Sequence, residues 1–336
     1  MNKLLAVLAA SLYLMSPQAN AQANAQAISG AGSTFAAPLY SKWSESYNRE
    51  TSKQVNYQAI GSSGGIKQID AKTVDFGASD DPVKVEDLKT KGQYQFPTAI
   101  GGVVPVVNLP GIEAGQLVFD GPVLAAVFSG KITKWSDPAI KKLNPKINFP
   151  DMNISLVVRA DGSGTTAVFT DYLSQVSREF KDSVGVGKQV SWNKAAVNGG
   201  KGNAGVAAFV QQIAGSIGYV EYSFARQGKL KYTAMLDRKG KPVLPDDETF
   251  AEAAHSANWS VPGMAVNLNN QNGWPITAAT FIILYEASSL NTREVVKFFD
   301  YAFSKGDREA LGLDYVPLPD KVKTAIRTDW KRLGFL

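Results

Sequence analysis

From residue 28 onward, short apolar runs alternate with stretches whose apolar residues recur every three or four positions. That pattern predicts strands alternating with amphipathic helices, and so an α/β fold. Strands are expected over 55–59, 74–78, 99–108, 154–159, 217–220 and 276–285. Between them, Leu39, Trp43 and Tyr47 recur on one helical face behind Pro38, Ile66 and Ile69 mark a short helix, and Val168, Phe169, Tyr172 and Leu173 line the inner face of another. A helix over 204–213 precedes the strand at 217, and two more close the chain over 291–305 and 319–333, with Pro319 suited to a first turn. The runs at 99–108 and 276–285 are long enough to pass from one lobe to another. This organisation predicts a discontinuous lobe 1 (26–105 and 280–336), a lobe 2 (106–279), and two connecting strands that form a hinge.

The start of the chain has a different character. Lys3 is followed by an apolar run from Leu4 to Met15, too short to span a bilayer. Ala19-Asn20-Ala21 and Ala23-Asn24-Ala25 are small-residue cleavage sites. Residues 1–25 are therefore expected to be a signal peptide, cut after Ala21 or Ala25. The chain has no cysteine, so it has no disulfide, no thiolate ligand and no attachment point for a lipid at the cleavage site. A freely soluble periplasmic protein is the expectation. The formal charge of +5 comes from 35 basic and 30 acidic residues. No basic run interleaved with aromatics appears, which argues against a nucleic-acid partner, while the mild positive field favours a small anion.

Three segments repeat one device, an apolar stretch, a Gly/Ser/Thr turn and a helix: Gly30-Ala31-Gly32-Ser33-Thr34-Phe35, Gly61-Ser62-Ser63-Gly64-Gly65, and Asp161-Gly162-Ser163-Gly164-Thr165-Thr166. The first amides of a helix lack intrahelical partners and carry partial positive charge. Glycines let an oxyanion approach them, and hydroxyls add donors. A single such turn is ordinary capping; three of them, one beside Arg159, point to an anion site. Arg159 ends an apolar strand where its guanidinium can fork onto an oxyanion, with Asp161 placed to orient it. Asp80, after the strand at 74–78, can accept from a proton-bearing oxygen.

Other chemistry has weaker support. Gly61-Ser62-Ser63-Gly64-Gly65 formally matches the nucleophile elbow of serine hydrolases, but the sole histidine, His255, sits among small and polar residues. Gly199-Gly200-Lys201-Gly202-Asn203 lacks the spacing of a P-loop and reads as a helix entry. No His/Asp/Glu cluster has metal-ligand spacing, and no cofactor is called for.

Taken in order, the three turns, Val74-Asp75-Phe76-Gly77-Ala78-Ser79-Asp80, Arg159-Ala160-Asp161-Gly162-Ser163-Gly164-Thr165 and Gly199-Gly200-Lys201-Gly202-Asn203 resemble the periplasmic phosphate-binding proteins of high-affinity phosphate ABC importers. The resemblance runs from about residue 28 to the last helix. It implies the two-lobed type II periplasmic binding-protein fold, with inorganic phosphate held in the cleft between lobes. It also implies permease subunits in the inner membrane as partners, and a monomer. Carried over by position, it assigns phosphate contacts to Thr34, Phe35, Ser62, Asp80, Arg159, Ser163, Gly164 and Thr165, with Asp161 holding Arg159. Asp81, where the family has a small residue, is a departure. The alternatives are a secreted phosphate-ester hydrolase and a phosphate-binding relative serving adhesion or signalling.

Overall fold

The computed structural model describes residues 27–192, 197–287 and 290–336; the expected signal peptide, residues 1–25, lies outside them. A ten-stranded sheet organises the described residues. Its main path runs, in space, Val55–Ala59, Ile28–Gly32, Phe76–Ser79, Thr277–Tyr285, Gln93–Val107, Ser216–Glu221, Ser155–Arg159 and Val197–Gly200. Val316–Pro317 and Lys231–Tyr232 add to the long strand Gln93–Val107. Three short strands, Val118–Phe119, Ala234–Leu236 and Pro242–Val243, form a separate small sheet.

The long strand divides the sheet into two halves. Residues 93–102 pair antiparallel with Thr277–Tyr285, and from Val103 onward the partner becomes Ser216–Glu221. At the change, the Val103 N–H donates to the Ile276 carbonyl at 2.8 Å. On one side of this step Ile28–Gly32 pairs in parallel with both Val55–Ala59 and Phe76–Ser79. On the other, Ser155–Arg159 pairs in parallel with both Ser216–Glu221 and Val197–Gly200. Parallel strands with helices on both faces are apolar throughout, and every residue of Phe76–Ser79 and Ser216–Glu221 is buried.

The helices follow the expected faces. Ala37–Thr51 has Pro38 in its first turn, buries Leu39, Tyr40, Trp43 and Tyr47, and ends at Ser52 in a left-handed conformation. Tyr40 stacks on Trp43 and meets Tyr57 and Phe299 edge-on, which seats this helix between the sheet and the helix Leu290–Lys305.

Some boundaries differ from the sequence reading for physical reasons. The strand expected at 99–108 begins at Gln93, because the buried polar residues ahead of it are all paired. Gln95 exchanges hydrogen bonds with the backbone of Val83 at 2.9 Å in both directions, Gln93 donates to Asp70, and Thr98 donates to the Thr280 carbonyl. The strand expected at 74–78 is Phe76–Ser79, and the helix expected at 204–213 is Gly202–Gln212. Ser62–Asp70 takes Gly64 and Gly65 into its first turn, since a Cβ on Gly65 would stand 2.5 Å from the Ala31 carbonyl oxygen. Pro319 stands one residue before the helix Asp320–Arg332.

Candidate anion-binding site

Four helix starts converge where the two halves of the sheet meet. They open Ala37–Thr51, Ser62–Asp70, Gly164–Val176 and Gly202–Gln212. Ser163 caps the third, its Oγ accepting from Thr166 N–H at 3.0 Å. Direct contacts join helix starts of opposite halves. Ser63 N–H donates to the Gly162 carbonyl at 3.0 Å, and Asn203 N–H donates to Thr34 Oγ1 at 3.2 Å. The closeness depends on glycine: a Cβ on Gly61 would stand 2.3 Å from Asp161 Oδ2, and one on Gly164 2.4 Å from Ser62 Oγ.

The hydroxyls gathered here have a fixed polarity. Ser62 Oγ accepts from Gly164 N–H at 3.1 Å and Asp80 N–H at 3.3 Å. Thr34 Oγ1 accepts from the backbone and side-chain amides of Asn203 at 3.2 and 2.9 Å. Thr165 Oγ1 accepts from Arg159 Nη1 and Asn203 Nδ2, both at 3.3 Å. A hydroxyl offers two lone pairs and one hydrogen. In each of these three both lone pairs are occupied, so each can serve a further group only by donating. All three residues are buried.

Arg159 is the cation of the site. Its side chain is 1% exposed. Nε and Nη2 donate to the two carboxylate oxygens of Asp161 at 2.8 and 2.5 Å, a bidentate pair that fixes the guanidinium plane. Burial would raise the Asp161 carboxyl, but the hydrogen bonds and charge of Arg159, with Gly202 N–H donating at 2.9 Å, outweigh it and hold it below the ordinary range. Nη1 and Nη2 each retain a second N–H.

Asp80 is the opposite case. Burial pushes its carboxyl up to about 6, against the pull of hydrogen bonds from Ser33 and Thr280 and the charge of Arg159, while the charge of Asp81 adds to the rise. Ser33 Oγ and Thr280 Oγ1 both donate to Oδ1, the latter at 2.8 Å. Oδ2 lies beside Gly164, where a Cβ would stand 2.7 Å away. Asp80 therefore presents one committed oxygen and one that can accept from a donor on an incoming molecule.

Thus Thr34, Ser62, Asp80, Arg159, Thr165 and the capped start at Ser163 and Gly164 lie in one connected network, with Asp161 behind Arg159. Phe35 N–H joins it by donating to Ser33 Oγ at 3.0 Å. Asp81 points away from the centre to pair with Lys188, whose backbone carbonyl accepts from Ser163 N–H at 2.9 Å. Ser63 contributes its backbone, and His255 is exposed on the helix Asp247–Ser256. Among the described residues no group of three or more His, Cys, Asp or Glu side chains could hold a metal ion.

Three network members were not assigned to the site from the sequence, although Ser33 and Asn203 lie inside motifs singled out there. Asn203 ties Thr34 to Thr165, and its Oδ1 accepts from Glu221 N–H at 2.9 Å. Thr280 and Ser33 fix Asp80. A threonine inside the apolar run 276–285 and an asparagine one residue past a left-handed glycine, Gly202, were the available signals.

A sequence model of the PBP superfamily domain matches residues 17–305. The chain is 52% identical over 313 residues to "Phosphate-binding protein PstS" of Pasteurella multocida, covering 91% of this chain and 90% of the relative. It is 50% identical over 315 residues to the protein of the same name from Haemophilus influenzae, covering 92% and 94%. A solved phosphate-binding protein from Stenotrophomonas maltophilia superposes with a TM-score of 0.71 at 18% identity, covering 90% of this chain and 93% of that one, a likeness of fold alone.

Proposed function

Because this chain belongs to the PBP superfamily, among its phosphate-binding proteins, we propose that it captures inorganic phosphate and delivers it to a membrane ABC importer. Its fold is the type II periplasmic binding-protein fold, two lobes joined by hinge strands around a cleft. We place the lobe boundary where strand pairing changes, at residues 102/103 and 276/277, a few residues from the positions expected from hydropathy.

The observation that carries the reading is the saturation of the acceptor positions on Ser62, Thr34 and Thr165 by N–H groups. Three buried hydroxyls able only to donate and two guanidinium N–H groups, set among the positive ends of helices, suit a ligand made almost wholly of acceptors. Asp80 suits the feature that separates phosphate from sulfate, its retained proton. The ligand hydroxyl donates to Asp80 Oδ2 while the other oxygens accept. Sulfate would set an oxygen lone pair against that carboxylate.

The contacts between helix starts of the two halves suit a closed, ligand-competent form. In this reading the protein is a carrier rather than a catalyst, its serines held as hydrogen-bond donors. It acts as a monomer in the periplasm after cleavage following Ala21 or Ala25. Among the described residues no helix is long and apolar enough to cross a membrane.

Calorimetric titration of the mature protein with phosphate, arsenate and sulfate tests the reading. Phosphate and arsenate, which both keep a proton, should bind, and sulfate should bind far more weakly. Absence of phosphate binding, or equal affinity for sulfate, would refute it.

A further inference from the structure

One buried carboxyl has no part in the contacts above. Glu221 is the last residue of the strand Ser216–Glu221 and is fully buried. It pairs with Val103, the first residue after the long strand changes partner. Its Oε2 accepts from Ser223 N–H at 3.0 Å and lies 2.9 Å from the Tyr315 hydroxyl. Its Oε1 is buried with no hydrogen-bond partner, and faces Gly101, where a Cβ would stand 3.2 Å away.

Tyr315 makes the protonation state of this carboxyl decidable. Its hydroxyl lies 2.7 Å from the Phe35 carbonyl oxygen as well as 2.9 Å from Glu221 Oε2. A carbonyl can only accept, so Tyr315 must donate to Phe35 if that buried oxygen is to be paired through it. A phenol has one hydrogen. The second contact is then satisfied only if Glu221 supplies the proton. The surroundings agree. Burial drives the Glu221 carboxyl well above its ordinary range, against the pull of the Ser223 and Phe224 amides and of the contact with Tyr315, and the nearby Asp314 carboxylate adds to the rise. Arg226, on the helix that follows the strand, is engaged with Asp314 at 3.7 Å and with the Tyr222 ring. Asp247 acts on Asp314, and Asp80 on Tyr315. Gly101 on the long strand brings no charge.

We propose that Glu221 is a positioning residue for the anion site: as a protonated carboxyl it donates to Tyr315, which donates to Phe35 and so fixes the Ser33–Phe35 turn against the strand at the hinge. The chain of contacts continues on both sides. Phe35 N–H donates to Ser33 Oγ, which donates to Asp80, while Glu221 N–H donates to Asn203, which holds Thr34 and Thr165. Glu221 thus links the two halves by its side chain and its backbone at once. Ionising it would bury an uncompensated charge and deprive Phe35 or Glu221 of a donor.

The proposal rests on the phosphate reading for its affinity readout alone, so its test has a part that needs no ligand. The ligand-free infrared difference spectrum, wild type minus Glu221→Gln, should show a carboxylic-acid carbonyl band at neutral pH. A carboxylate band in its place would overturn the proposal. Glutamine can still donate to Tyr315, so Glu221→Gln should fold and bind inorganic phosphate within about threefold of wild type at pH 7. Tyr315→Phe, with fold checked by thermal melting, should weaken binding by up to about tenfold, the worth of a hydrogen bond. On raising the pH, wild type should lose affinity relative to Glu221→Gln. A Glu221→Gln variant that fails to fold, or a folded Tyr315→Phe variant with wild-type affinity, would overturn the proposal. If wild type bound no phosphate, the phosphate reading would fall while the infrared result still decided the state of Glu221.

Discussion

Asp80→Asn should make the ligand-free protein more stable at neutral pH, and the size of the gain follows from the site. The ordinary aspartate value is 3.8, and burial brings Asp80 to about 6 in the folded state. Below the lower value both states hold the proton. As the pH rises past it, the unfolded chain releases its proton while the folded protein keeps one. Stability therefore falls, by about 1.4 kcal/mol per pH unit, until the folded carboxyl also ionises. Over about two units the loss is roughly 3 kcal/mol, complete near pH 7. Asparagine keeps Oδ1 as acceptor for Ser33 and Thr280 and has no such titration. Urea unfolding of both proteins in phosphate-free buffers, from pH 4 to pH 7.5, provides the measurement. Taking the difference cancels every other titrating group, including Asp161, whose depressed carboxyl acts with the opposite sign. The gap between variant and wild type should widen by roughly 2 to 3 kcal/mol across this range, since part of the loss has already occurred by pH 4. A constant gap would show that Asp80 ionises normally in the folded protein, and the account of its proton would fail.

Two more outcomes follow. Asp80→Asn should lower the phosphate-to-sulfate affinity ratio, because the amide can turn a donor toward a fully ionised ligand; an unchanged ratio in competition titrations would refute the assigned role. Lys188→Ala removes a half-exposed ion pair and should change stability by less than about 1 kcal/mol and phosphate affinity by less than about threefold, read by melting and calorimetry.

How much of this was legible in the sequence depends on the kind of signal. Strand and helix faces were readable where apolar spacing was undiluted, as at Leu39, Trp43 and Tyr47. The long strand was cut short at its start because Gln93, Gln95 and Thr98 are polar residues buried with their partners supplied from elsewhere in the fold. Pairing of that sort leaves no trace in local hydropathy. The Gly/Ser/Thr turns marked the candidate anion site, since donors and glycines are needed there whatever the global fold. The polarity of each hydroxyl was not readable, for it is imposed by Asn203 and by backbone amides from other segments. Glu221 had even less signal. It is one acidic residue ending an apolar strand, and its importance lies in Tyr315, 94 positions away in sequence.

The strand Gln93–Val107 belongs to both halves of the sheet without a break. Melting either half would strip backbone partners from a segment whose other end is still paired. Val103 sits at the point of transfer, with a donor bond to Ile276 on one side and pairing to Glu221 on the other. Neither half can therefore act as an autonomous folding unit, although each has its own parallel strands and helices. Loss of pairing in one half thus reaches the other through a strand they share, so the segment we propose as a hinge would also tie their unfolding into a single cooperative event.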